Sequence, residues 1–337
     1  MTSPRLLIGG ALLLLVVAVL AIGFGSVAIA PGDVVSILAH QLFGAGEAAQ
    51  GAGATSIVME LRLPRILAAI LVGAALAVAG GAFQSLLRNP LADPYVLGTS
   101  SGAALGAAIA ILLPIGGVAW ELGGVQLAAF LGALASVGLV WRVAGIGSGE
   151  ERIASVLLVG YAVASLLAAA LSLVMLASGA NLRAIFSFLL GGLDGATWPR
   201  LAAAALPLIA ATTLLALRGR ALAGFLLGDE AAQHLGVDVR RERRIAVALA
   251  SLATAAAVAL AGLIGFVGLV VPHLARLAVG PDPRAVLPLS AIGGALLLLL
   301  ADTIARSIGV PVGVITALIG APFLLWLLHR ARTGYAL

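Results

Sequence analysis

The sequence predicts an all-α polytopic membrane protein, and three observations carry that prediction. First, 62% of its 337 residues are hydrophobic and only 10% are charged, with a mean hydropathy of +1.18, whereas soluble domains are about 25% charged. Second, the apolar residues gather into runs near the ~20 residues that a helix needs to cross a bilayer core. Third, glycine and alanine are abundant and in places spaced four apart, as at Gly98, Gly102 and Gly106, a pattern that lets membrane helices approach closely.

Composition also removes several functions. The chain has no cysteine, which excludes disulfides, thiolate metal sites and iron–sulfur clusters. All 19 basic residues are arginine, so the chain lacks the lysine that a Walker A phosphate loop requires and cannot supply that motif itself. The net charge of +5 reads in a membrane protein as the bias of positive residues towards the cytoplasm, not as affinity for nucleic acid.

Taken in order, MTSPR precedes an apolar run over residues 6–29. Ala28-Ile29-Ala30 resembles a signal-peptidase site, but the run is about twice the usual hydrophobic core of 7 to 15 residues, which favours a retained first span. A loop carrying Asp33, His40, Glu47 and Glu60 is expected over residues 31–60. Further spans are expected at 64–87, 95–113, 118–141, 153–176, 198–217, 245–263, 265–279, 285–304 and 312–329. The one at 265–279 is short enough to be re-entrant. Ten spans place both termini on one side. With that side cytoplasmic, fourteen arginines lie inside and five outside, namely Arg62, Arg65, Arg183, Arg200 and Arg306, as the positive-inside rule requires. LAVAGGAFQSLLRNPLADP (76–94) faintly echoes the stretch 258–283. Copies five spans apart would form a 5+5 inverted repeat, a frequent transporter plan. Residues 181–197 are too polar at their ends to span and suggest a short helix at the outer mouth.

The long polar interval 218–244 stands out. Within it, LGDEAAQHLG (227–236) places Asp229 as a helix N-cap and Gly236 as a glycine stop. Leu227 and Gly228 lead into it, Glu230 follows the cap, and Ala231, Ala232 and Leu235 share one face. That face is too small to anchor a helix alone, so the segment must rest on a partner.

Other candidate sites have plainer readings. Gly98-Thr99-Ser100-Ser101-Gly102 matches the nucleophile elbow of hydrolases, which needs a strand-to-helix turn and an oriented histidine; in a glycine-rich membrane helix the match is a coincidence of composition. His234 and His273 lack ligand partners at helical spacing and read as structural histidines. Tyr161 and Met175 in the fifth span are candidates for lining a pathway or for packing. Arg62, Arg65 and Arg306 lie at the outer ends of the second and ninth spans, where positive charge is under-represented. They read either as snorkelling side chains, with Arg306 pairing Asp302 at i,i+4, or as a basic patch that docks an acidic partner.

Four motifs then accumulate in order: LRLPR (61–65), RNPLADPYVLGTSSGAALG (88–106), LGDEAAQHLG (227–236) and GFVGLVVPHLAR (265–276). Together they resemble the permease subunits of ABC importers for cobalamin, ferric siderophores and haem, over about residues 5–330. The resemblance implies a homodimeric permease of ten spans per copy in the bacterial inner membrane. It also implies two cytoplasmic ATP-binding cassette subunits that use ATP and magnesium, and a periplasmic or lipid-anchored binding protein that delivers substrate. No cofactor is expected on the permease. Arg62, Arg65 and Arg306 match the outer arginines that pair with glutamates of the binding protein. Residues 227–236 match the coupling helix that enters a groove on the ATPase. Asn89, Pro90 and Leu91 match the turn that closes the cytoplasmic end of the pathway, and the fifth span matches its lining helix. GIGSGEER (145–152) departs from the hydroxyl-rich pattern of a second inner gate. An iron chelate, haem or a siderophore, is the favoured cargo, with cobalamin the alternative. An ion-coupled carrier would need intramembrane carboxylates or an unwound ion site, and the sequence signals neither.

Overall fold

A computed structural model describes residues 4–25, 27–44, 52–113, 118–144 and 150–332. Every regular element among them is helical. Helix α1 (Pro4–Gly23) ends where Gly23, Phe24 and Gly25 stop the helix, and α2 (Pro31–Phe43) follows. The loop expected at 31–60 is therefore partly helix. Its signals were present: Pro31 occupies the first turn, Asp33 sits beside the N-terminal dipole, and Gly44 closes the helix at φ 65°. A short α3 (Ala52–Ser56) then runs through a π-helical turn (Ile57–Arg62) into α4 (Leu63–Leu86). Pro64 cannot donate a backbone hydrogen bond and crowds the preceding turn. The wider turn, in which Leu63 N donates to Val58 O, absorbs that defect without ending the helix.

The remaining helices are α5 (Thr99–Leu112), α6 (Val118–Ala144), α7 (Glu150–Leu176), α8 (Leu182–Leu190), α9 (Trp198–Leu217), α10 (Gly219–Leu226), α11 (Asp229–His234), α12 (Val239–Ala261), α13 (Val267–Val279), α14 (Pro283–Ile308) and α15 (Val312–Arg332). Among the described residues eight helices, counting α3 and α4 as one, are long and apolar enough to cross a membrane. Two of the ten expected spans, α5 and α13, have only 14 and 13 residues. At about 1.5 Å per residue each falls short of the ~30 Å hydrocarbon core. Prolines at 90 and 94 keep the approach to α5 irregular, and Gly262 and Phe266, both at positive φ, separate α13 from α12.

Helix α4 is the centre of the molecule. In its span 78% of residues are buried, against 11% for α7, and α4 packs along α9, α12, α13 and α14. Small residues make that possible. Gly73 lies on the backbone of Gly294, and Gly80 on the backbone of Gly268, so tightly that a methyl group at either position would overlap a carbonyl. The spaced glycines of α5 do the same work: Gly102 meets Gly132 and Gly106 meets Ala128 of α6. Gly98 has another task, starting α5 in a left-handed conformation at φ 72°. The two segments of the suggested repeat meet at the Gly80–Gly268 contact.

Where backbones touch, overpacking cannot relax through side-chain rotation, and its cost exceeds the ~1–3 kcal/mol of ordinary core overpacking. Gly80→Leu is expected to abolish the folded, monodisperse permease in detergent, whereas Gly9→Leu, at an open position on α1, keeps the wild-type melting temperature within about 2 °C.

Candidate functional site

Three regions carry the polar side chains. The first is a cluster at the arginine-poor end, where α1 ends, α4 begins and α14 finishes. Arg62, last residue of the π-helical turn, is only 6% exposed. It donates to Ile22 O at 2.6 Å, Gly23 O at 3.1 Å and Val27 O, closing the break between α1 and α2. Arg65, one turn further, donates through Nε to Asp302 Oδ1 and Oδ2 at 2.9 and 3.0 Å and through NH2 to Oδ1 at 2.7 Å. Its NH1 donates to Asp194, on the segment joining α8 to α9. Arg306 Nε lies 3.1 Å from Asp302 Oδ2, and its NH2 donates to Ala21 O and to Thr303 Oγ1, both at 3.3 Å. Asp302 is fully buried. The i,i+4 pair anticipated for Arg306 is thus present, within a larger cluster of three guanidiniums and two carboxylates.

The second region is the irregular chain between α4 and α5. Pro94 rests against Gly268, which in turn meets Leu76 O near the middle of α4. Leu76 lies about 15 Å along the helix from its end at Leu86, so residues 87–98 turn at Asn89 and climb back to the middle of the bundle. Asn89 Oδ1 accepts from Leu91 N at 2.9 Å, a side-chain turn that folds Asn89, Pro90 and Leu91 onto themselves. Higher up, Gln84 Nε2 donates to Ala92 O and Gly268 O at 3.2 Å, Ser136 Oγ to Leu97 O at 3.1 Å, and Tyr95 Oη to Ile264 O at 2.9 Å. Tyr95 Oη also accepts from Ile264 N, and Asp93 Oδ1 accepts from Tyr95 N. Gln84, Tyr95 and Ser136 were not singled out by the sequence reading. Only Ser136 left a signal, as a lone polar group inside an apolar run.

The third region is a platform at the arginine-rich end. Helix α11 begins one residue earlier than expected: Gly228 (φ 99°) is the N-cap and Asp229 the first helical residue. The reason is that the Asp229 carboxylate is taken by Arg243 NH2, at 2.7 and 3.0 Å, so it is not folded back onto the backbone. Arg243 also lies over the Phe225 ring, 5.3 Å from its centre, and Arg218 pairs with Glu242 at 2.6 Å. Helix α10, unforeseen by the sequence reading, carries Phe225. Gly236 ends the element at φ 81° as expected. Of the expected apolar face, Ala232 is fully buried and Ala231 partly so, but Leu235 and Leu227 are 66% and 65% exposed. Glu230 is exposed. Nearby, the Arg284 guanidinium donating to Asp282 holds that carboxyl below the usual range.

The other candidates are dispersed. Tyr161 is 76% exposed on α7, and Met175 lies half-buried near that helix's end. Ser100 stands in the first turn of α5 after a turn, not a strand. His234 is exposed, whereas His273 is buried edge-on to Phe323. Among the described residues no group of three potential metal ligands occurs. Residues 145–149 of the GIGSGEER stretch, and Glu47 of the expected loop, lie outside the described residues. Asn181 to Thr197 does hold a short helix, α8, whose Ile185 is buried.

A bundle of apolar helices with a braced polar platform at one end and a charged cluster at the other is the arrangement of a multi-pass membrane protein. Residues 13–330 match the FecCD transport family, and the chain belongs to that family. It is 46% identical to the cobalamin import system permease protein BtuC of Halobacterium salinarum, over 89% of this chain and 79% of that one. It is 39% identical to the hemin transport system permease protein HmuU of Yersinia pestis, over 82% and 84%. A metal-chelate type ABC transporter solved in an inward-facing conformation superposes with a TM-score of 0.84 at 29% identity, covering 97% of this chain and all of that one.

The buried ion cluster makes a sharp stability prediction. Asp302→Ala leaves Arg65 and Arg306 without their shared buried counter-ion and is expected to destabilise the protein by about 3–5 kcal/mol, read as a loss of melting temperature in detergent. Asp194→Ala, on the exposed partner, is expected to cost less than about 1 kcal/mol.

Proposed function

We propose that this chain, a single permease domain over residues 1–337, is the membrane subunit of an ATP-driven importer and works as a pair of identical copies. In this reading it crosses a bacterial inner membrane ten times. Helices α5 and α13 complete their crossings with the irregular segments beside them, the two halves form an inverted repeat, and both termini are cytoplasmic. Two separate ATP-binding cassette subunits use ATP and magnesium, and the permease holds no cofactor.

The observation that supports this reading best is α11. The helix is clamped by the Arg243–Asp229 pair and by buried Ala232, yet it is flanked at its two ends by exposed leucines, Leu227 and Leu235. A rigid helix presenting apolar anchors at a charged surface suits a protein groove. Closure of the ATPases on ATP would move α11, and Arg243 would carry that movement into α12. The turn Asn89–Pro90–Leu91 would close the cytoplasmic end of the passage, and the uncovered face of α7, with Tyr161 and Met175, would line it beside the second copy. At the other end Arg62, Arg65 and Arg306 would receive acidic residues of a periplasmic or lipid-anchored binding protein. Access alternates because nucleotide and docked protein bias the populations of two states.

The cargo is a large, preassembled metal chelate. An iron chelate, haem or a ferric siderophore, fits a passage whose polar groups are spent on its own backbone. The higher identity to a cobalamin permease favours cobalamin as the second reading.

Reconstitution with its ATPase and binding protein tests the assignment through vanadate-sensitive ATP hydrolysis. Leu227→Asp with Leu235→Asp is expected to lower stimulated hydrolysis at least about tenfold and to lose the ATPase on purification, as for removal of interface anchors, while the permease keeps its melting temperature. Arg65→Lys, which keeps a cation on buried Asp302, is expected to retain the ATPase but weaken stimulation by the binding protein. An ATPase that neither associates nor responds overturns the reading, and uptake of haem, a ferric siderophore and cobalamin in the same vesicles decides the cargo.

A further inference from the structure

Arg65 has two carboxylate partners of opposite character. Asp302 is fully buried on α14 and grips the guanidinium through Nε and NH2. Breaking that pair strands charge away from water at a cost of several kcal/mol, so it persists. Asp194 is 79% exposed, comes from the chain between α8 and α9, and takes NH1. A pair open to water is worth little and exchanges readily. Charge in the cluster is also incomplete: three guanidiniums face two carboxylates, and Arg62 is held by neutral carbonyls.

We propose that Asp194 is an internal occupant of the docking site, and that one carboxylate of the incoming binding protein replaces it on Arg65 NH1. This rests on the docking reading above and adds to it the residue that must leave. Asp302 is then a positioning residue, which holds Arg65 and Arg306 so that NH1 alone is offered.

The place of Asp194 in the fold gives the exchange a consequence. Its segment starts at Gly191, whose backbone lies on Leu263 O, while Gly262 lies on Phe188 O, so the root of the segment is fixed to the α12–α13 break. The segment lines an open pocket of about 250 Å³ together with Gln126, Ser187, Phe188 and Arg200 among others. The Arg65–Asp194 pair therefore ties the rim of this pocket to the start of α4. A binding-protein carboxylate on Arg65 unfastens the rim when the cargo arrives. Docking and loosening of residues 192–197 are thus linked by competition for one N–H group, and the binding protein needs no separate contact with that segment.

The test uses the whole transporter, permease with ATPase in lipid nanodiscs, titrated with the substrate-binding protein encoded with it. Asp194→Asn removes the competitor without disturbing a buried group and is expected to tighten docking about two- to fivefold, the range of an exposed ion pair. A purely structural Asp194 would give unchanged or weaker docking, and either result overturns the proposal. Arg65→Lys, which keeps a cation on buried Asp302 but has no NH1 to offer, separates the two levels of the argument: if it leaves affinity unaltered, the docking reading itself fails. If it weakens docking while Asp194→Asn does not tighten it, only the exchange fails. A second readout uses spin labels on Leu61→Cys and Thr197→Cys, exposed positions in a chain with no native cysteine. The wild-type distance distribution is expected to shift on adding binding protein, and that of Asp194→Asn to be shifted beforehand. A distribution in Asp194→Asn that matches free wild type overturns the proposal.

Discussion

The fold depends on one constraint: a backbone that leaves the helical path inside a membrane must find its hydrogen bonds within the protein. Two breaks impose it here, one between α4 and α5 and one between α12 and α13, and they solve it on each other. Tyr95 from the first break bonds both backbone groups of Ile264 in the second, and Gln84 reaches from α4 to carbonyls on either side. The apolar bundle around them keeps water out, so these few side chains do what a run of helical bonds does elsewhere. The shortness of α5 and α13 follows from the same breaks.

Such breaks can be tolerated only if the surrounding helices come close. Glycine at 73, 80, 102 and 106 brings backbones together where any side chain would hold them apart, and in lipid it is packing, with no hydrophobic drive between helices, that rewards this. The least covered helix, α7, lies at the edge of the same bundle. The distribution of burial thus separates a rigid centre around α4 from a face left open to lipid or to another chain.

The two ends handle charge differently. At the arginine-poor end a buried aspartate, Asp302, fixes guanidiniums that would otherwise be drawn to water or headgroups. At the arginine-rich end the part-buried Arg243–Asp229 pair and the Arg243–Phe225 contact brace α11 and α10 against α12 and leave leucines outside. The residues of both ends were legible as candidates in the sequence: Arg62, Arg65, Arg306 and the 227–236 segment all fall in these regions. Their partners were not. Asp302 was visible only as a neighbour of Arg306, and nothing in local spacing connects Arg65 to residues 129 and 237 positions away. The loop expected before residue 60 shows the opposite failure, since Pro31, Asp33 and Gly44 signalled a helix that the weight given to polar residues concealed.

By itself, the sequence determined the class of fold, the position of nearly every crossing and the candidate surfaces, because hydrophobic runs, helix stops and arginine placement are local properties set by the bilayer. Only the tertiary structure decided that α5 and α13 are short, that Leu235 faces outward, and that the outer arginines are locked around one buried carboxylate. Those outcomes depend on which helices touch, and close approach between glycines far apart in the chain has no local signature.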